Sequence, residues 1–129
     1  MDIKKLQEQI KEFCKDRDWD QFHTPKNIAA SISIEASELL QLFQWAQGAK
    51  WSELQDKELK KEVEEELADV LIYLLRFSDL SNIDIEKAIN EKLIKNENNY
   101  PISKSKGSDK KYNKLWLILQ CNLVGTQMQ

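Results

Sequence analysis

Hydrophobic positions recur every three to four residues in four stretches of the chain, which is the spacing of amphipathic α-helices. In the first stretch, Ile3, Leu6, Ile10 and Phe13 share one stripe. The pattern predicts helices over roughly residues 3–15, 24–47, 58–79 and 84–98. Four such helices joined by short polar links predict an all-α fold, an antiparallel four-helix bundle.

Residues that start and stop helices set the predicted boundaries. Thr24 can cap the second helix, and Pro25 suits its first turn because the missing N–H would have no helical partner. Gly48 is expected to end that helix. Asp84 can cap the fourth helix, which should end before Pro101.

The predicted domain covers residues 1–115. Residues 103–114 within it are polar and basic, and we expect them to form a mobile loop. Residues 116–129 form an apolar C-terminal tail of unknown role, for which strand, helix and subunit contact all stay open.

Composition narrows the class of protein. The 129 residues carry a net charge of −3, whereas a general nucleic-acid binder usually has a basic footprint. Three Gly and two Pro are too few for the tight turns of a β-barrel. The densest apolar stretch, residues 67–75, is too short for a membrane span and contains Asp69. Two cysteines, Cys14 and Cys121, imply no disulfide framework, so a cytoplasmic setting is expected.

Acidic pairs three residues apart are the candidate chemistry of this chain. They are Glu35/Glu38, Glu53/Asp56, Glu62/Glu65 and Glu66/Asp69. The second and third pairs lie among polar residues and are expected on solvated surfaces. The first and fourth pairs lie among apolar residues, and the surroundings of Asp69 predict a helix buried on most sides.

Carboxylates in apolar surroundings must be neutralised, protonated or bound to cations, because an uncompensated one costs several kcal/mol. Salt bridges to lysines or a wet edge of the bundle are the plain alternatives. Two such pairs on consecutive antiparallel helices favour a shared cation site. Four oxygen donors suit Mg²⁺, or Mn²⁺, better than zinc, and the single histidine, His23, excludes a histidine-rich site.

Two further features suggest what the cation holds. Trp45 follows Glu38 by seven residues, so a continuous helix would place its ring on the same stripe, where it could stack a base. A core position is the alternative for this Trp. Lys92 and Asn96 share a face of the fourth helix and could contact phosphate, although taken by themselves they favour a solvated face.

These residues resemble the MazG-like all-α nucleoside triphosphate pyrophosphohydrolases, whose signature is E-x-x-E followed by E-x-x-D. Within that family the chain is similar to the dCTP pyrophosphatase branch. The matching segments are RDWDQFHTPKN (residues 17–27), EL and LFQW (38–45), EELADVLIYL (65–74), Lys92 with Asn96, Tyr100-Pro101, and Lys111-Tyr112.

The resemblance implies hydrolysis of a nucleoside triphosphate, dCTP or a related dNTP, to a nucleoside monophosphate and pyrophosphate. It implies homodimers or homotetramers, and no nucleic-acid or membrane partner is expected. The implied Mg²⁺ ligands are Glu35, Glu38, Glu66 and Asp69. Trp19, His23 and Trp45 would line the base and sugar pocket, Tyr73, Lys92 and Asn96 would contact phosphate or ribose, and Lys111 and Tyr112 would close over the triphosphate.

Two further points concern the base that activates water and one position that departs from the family pattern. We hypothesise that Glu38 accepts the proton of the attacking water. Asn99 stands where the family has Arg, which removes positive charge near the phosphates. A non-catalytic helical module and a nucleotide sensor therefore stay open. A di-iron site is disfavoured because it needs Glu-x-x-His pairs.

Overall fold

The structure, a computed structural model, describes residues 1–45 and 50–114. The helices bounded within these ranges are α1 (Ile3–Asp16), α2 (Pro25–Gln41), α3 (Lys57–Leu80), α4 (Ile85–Asn99) and α5 (Ile102–Ser105). Short 3₁₀ turns occupy Asp20–Phe22 and Trp51–Gln55. These ranges contain no β-strand, so the predicted all-α helical fold is confirmed.

The chain divides into two compact units, and the first covers Met1–Ile85. Within it, α1 and α2 each pack against α3. The buried amide of Gln7 donates to Ser78 Oγ at 2.9 Å, which ties the start of α1 to the end of α3. His23, just before α2, accepts a hydrogen bond from Arg76 near the end of α3. Both helices therefore run antiparallel to α3 in this region.

Side-chain caps begin the three helices of this unit. Thr24 Oγ1 accepts from the Asn27 amide at 3.2 Å, and Pro25 occupies the first turn, so the predicted start of α2 is confirmed. Asp2 Oδ1 accepts from the Lys5 amide at 3.0 Å. Asp56 Oδ1 accepts from two amides at the start of α3, each at 3.0 Å.

The predicted extension of α2 to about residue 47 is wrong. The helix ends at Gln41, because the amides of Phe43 and Gln44 donate to carbonyls three residues back instead of four, which tightens the chain into turns. Trp45 lies beyond this end, so the stripe that was expected to join it to Glu38 does not exist. Gly48, the predicted stop, lies outside the described residues.

The second unit begins at Glu86. The predicted loop over residues 103–114 contains part of α5, because the amides of Lys104 and Ser105 both donate to the Pro101 carbonyl at 3.0 Å. Tyr100 and Tyr112 meet edge to face, with ring centroids 6.0 Å apart. The predicted tail, residues 116–129, lies outside the described residues, and the predicted domain boundary stays a prediction.

Apolar burial is shallow in this single chain. The buried hydrophobic residues of the described ranges are Cys14, Ile28 and Leu75. Leu67 and Leu74 on α3 stay 55% and 42% exposed, so the prediction that α3 is buried on most sides is wrong for the protomer. The physical reason is that α1 and α2 cover α3 on one side only. Among the described helices, none is long and apolar enough to cross a membrane.

The Thr24 cap gives a direct test of this fold. We expect Thr24→Ala to lower the free energy of unfolding by about 1 kcal/mol, because the Asn27 amide loses its acceptor. Urea denaturation at a fixed protein concentration measures the change. Thr24→Ser keeps the hydroxyl and should unfold close to the wild type. Equal destabilisation by both substitutions would contradict the capping role.

Candidate metal centre and adjoining cavity

Three carboxylates from two helices converge in the first unit. Glu35 and Glu38 on α2 and Glu66 on α3 each present a carboxylate oxygen, and these three oxygens lie within 4.8 Å of one another. The spacing of three residues puts the first two on one face of α2. The antiparallel packing of α2 on α3 then brings Glu66 opposite them. The α2 pair and one member of the α3 pair thus meet at this point of the fold.

Asp69 stands at the edge of this cluster. It follows Glu66 by one helical turn, is exposed, and is not among the three carboxylates whose oxygens converge. Its negative charge nevertheless acts on Glu35 and Glu66, because it contributes to the raised pKa of both. Of the four predicted ligands, three converge and the fourth is an electrostatic neighbour.

Two members of the cluster, Glu35 and Glu66, have raised pKa values. Desolvation is the largest cause that raises the pKa of Glu35, and the negative charge of Glu38 and hydrogen bonding to it come next. The pKa of Glu66 is raised by the same causes in the same order. Asp69 adds to both shifts. Binding of protons or of a cation would therefore relieve the repulsion among these carboxylates.

The donor set fits a hard divalent cation. Glu66 Oε2 is buried and has no hydrogen-bond partner, although a buried carboxylate oxygen is costly to leave unpaired. Within residues 1–45 and 50–85, no Lys or Arg forms an ion pair with the four acids, which counts against the salt-bridge alternative. Carboxylate oxygens are the ligands that Mg²⁺ and Mn²⁺ prefer.

A cavity of about 430 Å³ adjoins the acidic cluster at Asp69. Trp19, His23 and Tyr73, all predicted as substrate contacts, line it together with Asp69. Sequence reasoning missed the other lining residues, which are Gln9, Ile10, Phe13, Cys14, Ile72 and Arg76. Ile10 and Phe13 belong to the apolar stripe of α1, which sequence alone does not distinguish from core.

The turn between α1 and α2 positions the aromatic wall. Trp19 meets Phe13 edge to face, with centroids 5.6 Å apart. Asp18 adopts a positive φ of 53°. Its backbone carbonyl oxygen and its Oδ2 each accept a hydrogen bond from the side-chain Nε2 of Gln21, both at 3.0 Å. A second cavity, of about 340 Å³, also uses Trp19, His23 and Tyr73. These three side chains therefore form a wall with open space on both sides.

His23 accepts a hydrogen bond from Arg76, a buried residue of the first unit. Arg76 Nε donates to His23 Nδ1 at 3.1 Å, and Arg76 Nη2 donates to Asp20 Oδ1 at 2.6 Å. Burial, and then the positive charge of Arg76, lower the pKa of His23, while Asp20 opposes the shift. Burial also raises the pKa of the nearby Cys14 thiol. Both groups therefore face the cavity uncharged near neutral pH.

The remaining predicted site residues lie elsewhere in the chain. Trp45, past the end of α2, is 91% exposed. Lys92 and Asn96 lie one turn apart on α4, in the second unit. Lys111 and Tyr112 belong to that unit too, where Tyr112 contacts Tyr100. Substrate contact by these four residues of the second unit, and by Trp45, stays a prediction.

Comparison with known proteins now decides the family. The model of the MazG-like family matches residues 30–115, a range that contains the pairs Glu35/Glu38 and Glu66/Asp69. The chain belongs to the MazG-like family. A solved relative, a pyrophosphatase from Archaeoglobus fulgidus, is 45% identical with a TM-score of 0.72, and the match covers 78% of this chain and 94% of that one.

Curated relatives of this MazG-like chain include mammalian enzymes. Rat dCTP pyrophosphatase 1 is 39% identical over 109 residues, and the human protein of that name is 35% identical over 109 residues. Each match covers 81% of this chain but 62% of the relative. The chain thus spans less than two thirds of the length of the curated relatives it matches.

Cation binding tests the acidic cluster. We expect saturating Mg²⁺ or Mn²⁺ to stabilise the protein by about 2 to 3 kcal/mol at a hundred-fold excess over the Kd. Thermal unfolding with and without metal measures this gain. Glu66→Gln should abolish it, whereas Glu62→Gln, a change on the exposed part of the same helix, should leave it intact. A gain that survives Glu66→Gln would contradict the site.

The raised pKa of Glu35 and Glu66 fixes the sign of a pH effect. The metal-free folded state holds protons more tightly than the unfolded chain, so this stabilisation is complete below the ordinary carboxyl pKa and is lost as pH rises through the raised values. Protons and metal compete for the same oxygens. Thermal scans should therefore show a larger Mg²⁺ effect near neutral pH than at about pH 5; an effect that grows on acidification would contradict this.

Proposed function

We propose that this chain hydrolyses a nucleoside triphosphate between the α and β phosphates and releases a nucleoside monophosphate and pyrophosphate. The observation that carries the proposal is the convergence of three carboxylate oxygens within 4.8 Å, beside a cavity with an aromatic wall. A cation site holds phosphates and an aromatic wall stacks a base. Relatives named dCTP pyrophosphatase 1 and pyrophosphatase support this reaction class.

The residues that would hold the metal in this proposal are Glu35, Glu38 and Glu66, with Asp69 as the fourth ligand one turn along α3. When bound, Mg²⁺, or Mn²⁺, neutralises phosphate charge and lowers the pKa of the attacking water. The helices α2 and α3 keep the carboxylates in fixed positions before substrate arrives, which is the pre-organisation that such a site needs.

The other roles in proton transfer and substrate binding are assigned to individual side chains. Glu38 belongs to both the α2 pair and the converging cluster, and we assign it the acceptance of the proton from water. Trp19 and Tyr73 stack the base, and His23 contacts the base or sugar. Lys92, Asn96, Lys111 and Tyr112 of the second unit contact the phosphates or ribose, and Trp45 adds an aromatic surface. Asn99 in place of the family Arg lowers the positive charge available there.

The substrate class in this proposal is dCTP or a related dNTP. The support is the name shared by the rat and human relatives, together with a cavity of about 430 Å³ that suits a base and sugar better than a polymer. Roles in the cytoplasm and in control of the nucleotide pool follow from the same class. A nucleotide sensor that binds without turnover is the competing outcome of the test below.

We also propose that the protein is a homodimer or homotetramer. The support is the exposed apolar face of α3, where Leu67 is 55% and Leu74 is 42% exposed. Large exposed apolar patches are typical of subunit contacts. The mass in solution, measured by light scattering, should be two or four times 15.2 kDa, and a monomer at micromolar concentration would contradict this part of the proposal.

Product analysis tests the reaction. A panel of canonical and 5-modified dNTPs with Mg²⁺ should release pyrophosphate, with dCTP among the best substrates. Orthophosphate as the first product would contradict cleavage next to the α-phosphorus. Tight dCTP binding without any product would indicate the sensor instead.

Two substitutions assign the catalytic groups. Glu38→Ala and Asp69→Ala should each lower kcat by at least about 100-fold, because the cation or the base is lost. Glu62→Ala on the exposed part of α3 is the matched control and should keep wild-type turnover. Near-normal turnover in both Glu38→Ala and Asp69→Ala would contradict the catalytic assignment.

A further inference from the structure

Arg76 is an unusual residue to find buried. Its side chain is 3% exposed, whereas arginine is almost never fully buried unless it is paired. Its partners are all in the first unit: Asp20 at 2.6 Å, His23 at 3.1 Å, and Asp79 at 3.7 Å. A buried ion pair is weak evidence that a residue stabilises the fold. We therefore consider what the hydrogen bond from Arg76 does to His23.

The chemistry of the guanidinium group fixes the state of the imidazole. Arginine has five N–H donors and no acceptor, and it keeps its proton in proteins. Arg76 Nε donates to His23 Nδ1, so Nδ1 must be an acceptor without a proton. A neutral imidazole then carries its single proton on Nε2. The hydrogen bond therefore selects one of the two tautomers.

The other edge of the imidazole is the one left for a ligand. Within residues 1–45 and 50–85, His23 Nε2 has no hydrogen-bond partner, and the ring lines both cavities that contain Trp19 and Tyr73. The charged groups acting on the ring are Arg76 from α3 and Asp20 from the turn before α2. The protein thus offers a fixed N–H donor beside an aromatic wall.

We propose that Arg76 is a positioning residue that holds His23 as a neutral Nε2–H donor, so that the cavity favours a nucleobase with a hydrogen-bond acceptor at that point. The second half rests on the proposed function. Cytosine has an acceptor at ring N3, where uracil and thymine have an N–H donor. An Nε2–H donor that meets the N–H of uracil or thymine leaves both groups unsatisfied once the ligand covers them, so at this ring position the arrangement favours cytosine over uracil and thymine.

The single histidine makes the tautomer directly measurable. In ¹⁵N-labelled protein without an affinity tag, every imidazole signal comes from His23. Long-range ¹H–¹⁵N spectra should show Nδ1 as the unprotonated nitrogen and Nε2 as the protonated one, and this pattern should persist below the ordinary histidine pKa of about 6.5. A proton on Nδ1 at neutral pH would overturn the proposal. This measurement needs no substitution and no nucleotide.

Substitution of Arg76 tests the consequence for substrate choice. Arg76→Met removes the donor, so His23 should become a mixture of tautomers, KM for dCTP should rise up to about ten-fold, and the preference for dCTP over dUTP should fall. The kcat at saturation should change far less than in Glu38→Ala. Arg76→Lys keeps a charged donor and should recover part of the preference. Lys61→Met, at an exposed position of the same helix, should leave all these values unchanged.

The outcomes separate this inference from the proposed function. An unaltered tautomer and unaltered base preference in Arg76→Met would overturn the positioning role. If Arg76→Met fails to fold, the wild-type spectrum and the half-exposed Asp20→Asn variant, which keeps the Arg76–His23 bond and should keep the tautomer, still decide it. Failure of every dNTP to yield pyrophosphate would contradict the proposed function, and the spectrum would still report on Arg76.

Discussion

Repulsion among carboxylates is the constraint on which the site depends. Glu35, Glu38 and Glu66 bring negative charge together between α2 and α3, and no cation from the described part of the first unit forms an ion pair with them. The fold thereby keeps a charge imbalance that protons or metal must correct. Helix packing supplies the energy that holds the acids together. A site of this kind gains stability when it binds a divalent cation, so occupancy and folding are linked.

One face of α3 joins the two halves of the site. Asp69 borders the acidic cluster, Tyr73 follows one turn later in the aromatic wall, and Arg76 comes almost one turn after that, where it holds His23. A single helix therefore sets the distance between the acidic cluster, where the proposed function places the phosphates, and the aromatic wall, where it places the base. The same helix also leaves apolar residues exposed on its other faces, where we propose the subunit contact.

Features that depend on near neighbours in sequence were predictable, and features that depend on distant residues were not. The Thr24 cap and the acidic pairs are patterns of three residues, and the structure has the cap as predicted and brings the acids together. The end of α2 at Gln41 depends on how the backbone turns afterwards, so the stripe through Trp45 failed. The bond between Arg76 and His23 spans 53 positions, and no local pattern signals it.

The most direct measurement of the central claim is the anomalous scattering of crystals grown with Mn²⁺. If the three carboxylates bind a divalent cation, the map should show a peak between α2 and α3 within coordination distance of carboxylate oxygens of Glu35, Glu38 and Glu66. A map without a peak there, in which those carboxylates pair with lysines instead, would contradict the claim.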